Sequence, residues 1–130
     1  MTPEAFAGSV AGMPWVRWAS GWQACDCFGL VVLYFREVIG IDLGAVPQTD
    51  IAAGFSQARG WAECEPGPGA AFMCWRAGVP HHCGIVLPGD RLLHAEGSPD
   101  RGGSTRITRM AAMRRLHRDL RFYRYTATPC

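Results

Sequence analysis

The sequence contains no lysine and no asparagine, so all thirteen of its basic side chains are arginine. Both missing residues have A-rich codons, which points to a GC-rich genome and carries no information about fold. No apolar run approaches the roughly 18–20 residues that a helix needs to cross a bilayer, so a helical membrane span is not expected. Residues Met1 to Pro14 lack a basic stretch followed by an apolar one; no signal peptide is expected, and synthesis is expected in the cytosol. Internal repeats and low-complexity tracts are also missing. Charged residues are scarce at 18% against 48% hydrophobic, the balance of a globular chain and not of a disordered one. A length of 130 residues suits one domain with a single core.

The arginines are unevenly placed. Residues 1–100 carry five against ten acids, a net of −5, whereas residues 101–130 carry eight against Asp119 alone, a net of +7. Such a segment serves nucleic acid, an anionic surface, an acidic protein partner or simply a solvated face.

Six cysteines are present, at 25, 27, 64, 74, 83 and 130. With no secretory signal and enough chain for a core, a disulfide framework is not called for. Metal ligation is a second option, using Cys25, Cys27, His81, His82 and Cys83. It is weakened by the single residue between Cys25 and Cys27, where zinc sites usually place about two to four. The third option is one reactive cysteine among several buried ones, since free cysteine packs as a small hydrophobe.

Along the chain, Gly12-Met13-Pro14 and Ser20-Gly21 enclose a loop with Trp15, Trp18 and Trp22. The spacing of Phe28, Val31, Val32, Phe35, Val38 and Ile39 predicts a helix over 25–39 with one broad apolar face, stopped by Gly40. A shorter helix is expected over 50–59, capped by Asp50. After the Glu65–Gly69 loop, strands are expected over 70–76, 82–87, 91–96, 104–110 and 120–125, the last preceded by a short Arg-rich helix. Helices followed by an antiparallel sheet make an α+β domain.

A thiol nucleophile needs a lowered pKa, a nearby imidazole and a group that orients that imidazole. Cys27 falls in the first turn of the long helix, where the macrodipole and backbone N–H groups favour thiolate and oxyanion. Cys25 falls at or before the cap. A three-residue turn at Pro88-Gly89-Asp90 pairs Leu87 with Arg91 and sets His82 opposite Glu96. His94 is then a diagonal neighbour of His82 on the same face. Cys83 points to the other face, toward burial. His81 and His117 have no comparable constellation.

Taken together, Gly12-Met13-Pro14-Trp15, Cys25-Asp26-Cys27-Phe28-Gly29-Leu30-Val31, His82-Cys83-Gly84-Ile85 and Leu93-His94-Ala95 resemble the NlpC-type cell-wall cysteine peptidases. That family's pattern is a Gly-x-Pro-Tyr loop, an Asp-Cys-x-Gly-Leu helix start, a His-x-Gly-Ile strand and a second His on the next strand. Order and spacing agree over nearly the whole chain. Tyr34-Phe35-Arg36-Glu37, Ile41-Asp42-Leu43 and the ending Phe122-Tyr123-Arg124-Tyr125 are similar to the phage-tail branch of the family.

The resemblance implies a reduced papain-like α+β fold over residues 1–130, with N-terminal helices packed on an antiparallel sheet. It implies Cys27 as nucleophile, His82 as its base and His94 as the group that orients the base, with Trp15 and Asp26 as substrate contacts. The implied reaction is hydrolysis of a peptidoglycan stem-peptide bond, usually γ-D-glutamyl to diamino acid, with no cofactor or metal. The implied setting is a virion: synthesis in the host cytoplasm, attachment to tail-hub or tail-tip proteins, and action at the periplasm and cell wall, with no nucleic-acid partner. The alternative is a structural plug subunit that keeps the peptidase fold. Two departures stand out. Trp15 replaces a Tyr whose hydroxyl can serve the oxyanion, leaving only an indole N–H, and Gly69-Ala70 replaces the usual Gly-Asp at the first strand.

Overall fold

The computed structural model describes residues 1–44 and 60–125. The helix expected over 50–59 lies outside the described residues.

The chain opens with a helix that the sequence pattern did not announce, α1 (Pro3–Val10). Its start is local chemistry: Thr2 Oγ1 accepts from the Ala5 N–H at 3.1 Å, and Pro3 sits where its missing N–H costs nothing. Phe6, Ala7 and Val10 are buried. The Phe6 ring meets Tyr34 edge-on at 5.2 Å.

The central helix, α2 (Cys27–Tyr34), begins two residues later than expected and runs on into a π-helical turn over Phe35–Ile39. Asp26 is its cap, Oδ1 accepting from the Gly29 N–H at 2.7 Å. Gly40, at φ 84°, ends it, and the Phe35 carbonyl accepts from both Gly40 and Ile41. The expectation of one apolar face was too narrow. Every residue from Phe28 to Phe35 is buried, so α2 is apolar all round, as a helix enclosed by other elements must be.

Six strands, one more than expected, form a single antiparallel sheet: β1 (Trp61–Cys64), β2 (Ala71–Arg76), β3 (Val79–Leu87), β4 (Arg91–Ser98), β5 (Gly102–Arg109) and β6 (Asp119–Tyr125), in the order β1-β6-β2-β3-β4-β5. A short helix, α3 (Met110–Leu116), precedes β6. The tight turn after Leu87 pairs that residue with Arg91, as the spacing predicted.

β3 starts at Val79 and not at His82, because Ala77 and Gly78 both adopt positive φ (51° and 76°) and close a two-residue hairpin from β2. Within that hairpin Cys74 faces His82 while Trp75 faces Pro80. His81 is therefore the extra residue of a β-bulge.

The sheet is covered on both faces. Cys83, Ile85, Leu87, Leu93 and Ala95 pack with α1 and α2, whereas Phe72, Val86, Leu92 and Phe122 pack with Met110 and Met113 of α3. This arrangement sets the first turn of α2 at the sheet, near the two histidine-bearing strands.

Gly29 lets the Trp15–Asp26 loop lie directly on α2: a Cβ there would run into the Ala19 carbonyl, which already accepts from the Asp26 N–H at 3.0 Å. Alanine would gain about 1 kcal/mol of helix propensity, but a backbone clash in a packed site costs about 1–3 kcal/mol, and a carbonyl held by its own hydrogen bond yields poorly. Gly29→Ala should therefore lower the urea midpoint of unfolding; an unchanged or raised midpoint would refute this packing argument.

Candidate active site

Cys27 is the first residue of α2 and half-buried. The turn that carries it is fixed by Asp26, whose second oxygen, Oδ2, accepts from the Trp18 N–H at 2.8 Å. Burial raises the Asp26 pKa, and these two hydrogen bonds and the Arg17 charge partly offset the rise.

The histidines supply the second component. His82 on β3 and His94 on β4 place Nε2 and Nδ1 at 2.8 Å, with ring centroids 5.0 Å apart and planes near perpendicular. Phe72 meets both rings edge-on. On its far side, His94 Nε2 lies 2.8 Å from Thr108 Oγ1. Thr108 stands opposite Leu92 in the β4–β5 ladder, while His94 stands opposite Arg106, so Thr108 is the diagonal neighbour of His94 on one face.

One cavity of about 520 Å³ is lined by Cys27, His82 and His94, and also by Trp15 and Thr108. A thiol at a helix start thus shares a cavity with an imidazole whose other nitrogen is tied to a second imidazole and through it to a hydroxyl. The NlpC/P60 family model matches residues 12–119. The chain belongs to the NlpC/P60 family.

Solved structures agree on the fold. The NlpC/P60 domain of the peptidoglycan hydrolase SagA superposes with a TM-score of 0.63 at 21% identity, covering 96% of this chain and 95% of that one. A lipoprotein-like NLP/P60 protein from Staphylococcus aureus gives 0.61 at 24% identity, covering 96% of this chain and 40% of that one. No curated protein matches.

Other cysteines of this NlpC/P60 domain are placed differently. Cys25 is fully buried, donates to the Gly21 carbonyl at 3.3 Å, and has its pKa pushed up to about 12 by burial and then by the Asp26 charge. Burial likewise pushes Cys74 to about 12 and raises Cys64. Cys83 is buried beneath the site, hydrogen-bonded to the Cys27 side chain, and its pKa is raised by burial first. Cys27 is the one described cysteine that lines the cavity. Among the described residues, no three His, Cys, Asp or Glu side chains converge as metal ligands, so the cluster of Cys25, Cys27, His81, His82 and Cys83 does not assemble into a metal site.

The expected site residues divide. Trp15 lines the cavity beside Cys27, and the absence of a side chain at Gly97 makes room for its ring. Asp26 does not line it; at 6% exposure, with both oxygens engaged by backbone, it shapes the helix start from behind. Sequence reasoning missed three residues. Thr108 was findable from the β4–β5 register. His81 and His117, set aside in the sequence, both line the cavity, so all four histidines of the chain meet there.

Burial, and then the charges of neighbouring histidines, lowers the His82 pKa to about 3. Burial lowers His94 to about 4, against an opposing pull from Glu96. In the unfolded chain both titrate near 6.5. Above that value neither form carries the proton and the stability is intact; as pH falls from 6.5 toward 4, the unfolded chain binds protons that the folded one refuses. The melting temperature should therefore drop over this window, and less so in a His82→Gln variant. A flat profile would contradict a pair held neutral in the folded protein.

Proposed function

We propose that this domain is a cysteine endopeptidase that hydrolyses a peptide bond of the peptidoglycan stem, the γ-D-glutamyl bond to a diamino acid. The peptidoglycan hydrolase-like fold makes a cell-wall hydrolase the natural class. The observation that carries the reading is that Cys27 shares one cavity with His82, which is bonded to His94 and through it to Thr108.

Hydrogen bonding assigns the tautomers. To accept the thiol proton on Nδ1, His82 must carry its own proton on Nε2 and donate it to His94 Nδ1. His94 then carries its proton on Nε2 and donates to Thr108 Oγ1. Cys27 transfers its proton to His82 Nδ1 as the sulfur adds to the scissile carbonyl. The tetrahedral oxyanion is held by N–H groups of the first turn of α2. Collapse expels the amine, which takes the proton from His82, and leaves a thioester on Cys27. Water, deprotonated by His82, hydrolyses the thioester and returns the free thiol and a carboxylate.

Digestion of purified peptidoglycan, followed by mass spectrometry of the muropeptides, tests both the activity and the bond. Cys27→Ser should abolish release. Cys25→Ser, Cys64→Ser and Cys74→Ser should retain most of it. His94→Ala and Thr108→Val should impair the rate less than His82→Ala, because they orient the base and do not move the substrate's proton. An active Cys27→Ser enzyme would overturn the mechanism, and wild-type protein that leaves the wall intact would favour a structural plug subunit with this fold.

Delivery follows from the same reading. We infer that the domain rides on a phage tail tip, made in the host cytoplasm and released at the cell wall, with the basic C-terminal segment facing an acidic tail protein. Arg114, Arg115 and Arg118 are all exposed, but Arg114 also lies over the Phe122 ring at 5.5 Å, which makes it less suited to substitution. Charge reversal at Arg115 and Arg118 should weaken association with purified particles, an effect that added salt shares, and spare hydrolysis of free peptidoglycan. Particles that contain no such protein, or a reversed variant that assembles normally, would count against it.

A further inference from the structure

One half of the cavity takes no part in the hydrolytic step. The bulge in β3 sets His81 along the same cavity as His82, where strict alternation would have turned it to the opposite face. His117, which follows α3, lies 5.2 Å from His81 between ring centroids. It also stacks on His82 at 6.5 Å, with planes 29° apart. Arg76, at the end of β2, and Arg106, on β5, complete this wall, and Glu96 is the one acidic side chain among the described residues that line the cavity. Among the described residues, neither Arg76 nor Arg106 has an ion-pair partner.

The chemistry of this wall is that of an anion site. Burial and then the Arg76 charge lower the pKa of His81; burial and then Arg76 also lower His117, against Glu96. Both rings are thus neutral at pH 7, each with one N–H to donate. A permanent guanidinium beside two neutral N–H donors suits a carboxylate, whose two oxygens accept several hydrogen bonds and match the guanidinium fork. A cationic substrate group would meet two arginines against a single glutamate. The stack of His117 on His82 puts this wall within one ring of the base, so a carboxylate held here belongs to the residue next to the scissile bond.

We propose that Arg76, His81 and His117 form a subsite for a substrate carboxylate adjacent to the scissile bond, so that the domain distinguishes a free acid from its amide at that position. This rests on the peptidase reading for its biological meaning, but the subsite can be tested without it. Iodoacetate and iodoacetamide alkylate the same thiol, one carrying a carboxylate and the other its amide, and the free-cysteine ratio corrects for their different intrinsic reactivity. The ratio of their rates at Cys27, followed by peptide mass spectrometry, should exceed the ratio for a free cysteine in a short peptide. Arg76→Gln, and separately His81→Gln with His117→Gln, should bring it down toward that reference; Arg76 is exposed, so its replacement leaves the core intact. A wild-type ratio equal to the reference, or one that neither variant changes, overturns the subsite. On short stem peptides, the same variants should raise KM for the free acid about ten-fold relative to the amide, the scale of one charge-assisted hydrogen bond, with a smaller change in kcat. A biased alkylation ratio with no peptide cut would instead uphold the subsite and refute the peptidase reading, whereas peptide cleavage without discrimination would do the reverse.

Discussion

The Asp26 carboxylate is the contact on which the site depends. It joins two segments at once, receiving the Gly29 N–H of α2 and the Trp18 N–H of the preceding loop, while nearly excluded from water. A buried carboxylate is tolerable only when its lone pairs are occupied, and here the two backbone donors occupy them. The loop cannot then slide along the helix, and Gly29 removes the side chain that would hold the two apart. Cys27, the next residue after the cap, inherits its position from this arrangement. The acid next to the thiol therefore acts by placing the first turn, which explains why it lies outside the cavity that it helps to form.

The imidazoles impose a second constraint. His82 and His94 are enclosed by Phe72 on one side and by each other, so charge on either is costly in the free protein. An unprotonated His82 is what a base must be before it takes a proton. The imidazolium formed during the reaction would then face a sulfur anion or an oxyanion, and that partner offsets the desolvation that keeps the ring neutral beforehand. His94 cannot supply such an offset by charge, because it too is held neutral; in the proposed mechanism its contribution is orientation, passed on from Thr108. The arrangement favours charge only when substrate chemistry creates its counter-charge.

Much of this was legible in the residues. Gly89 and Asp90, both at positive φ, make the turn that the Pro88-Gly89-Asp90 signal implied, and the two histidines meet because of it. The start of α2 was legible within two residues, since an Asx cap is local chemistry. What alternation could not show is the bulge: a single extra residue between paired positions changes which way His81 points, and no pattern of hydrophobicity records it. His117 is beyond local reading for another reason. It reaches the cavity only because α3 packs on the far face of the sheet, a long-range consequence of Met110 and Met113. The apolar period of α2 misled in the opposite direction, because periodicity cannot tell a half-buried helix from one enclosed on all sides.

The arginines show how a charge count differs from a charged surface. The last thirty residues carry a net of +7, yet they do not act as one patch. Arg121 lies over Trp75 at 4.6 Å and pairs with Asp119, and Arg114 covers Phe122; these side chains shield apolar surface with their stems as much as they present charge. Arg106 turns into the cavity. At Arg121 a flat cation stacks and pairs at once, which an ammonium would not reproduce. The excess charge is thereby split among packing, the cavity wall and exposed side chains such as Arg101, Arg109, Arg115, Arg118 and Arg124. The exposed side chains face solvent, where another macromolecule could meet them, whereas the cavity wall bears on what the cavity admits.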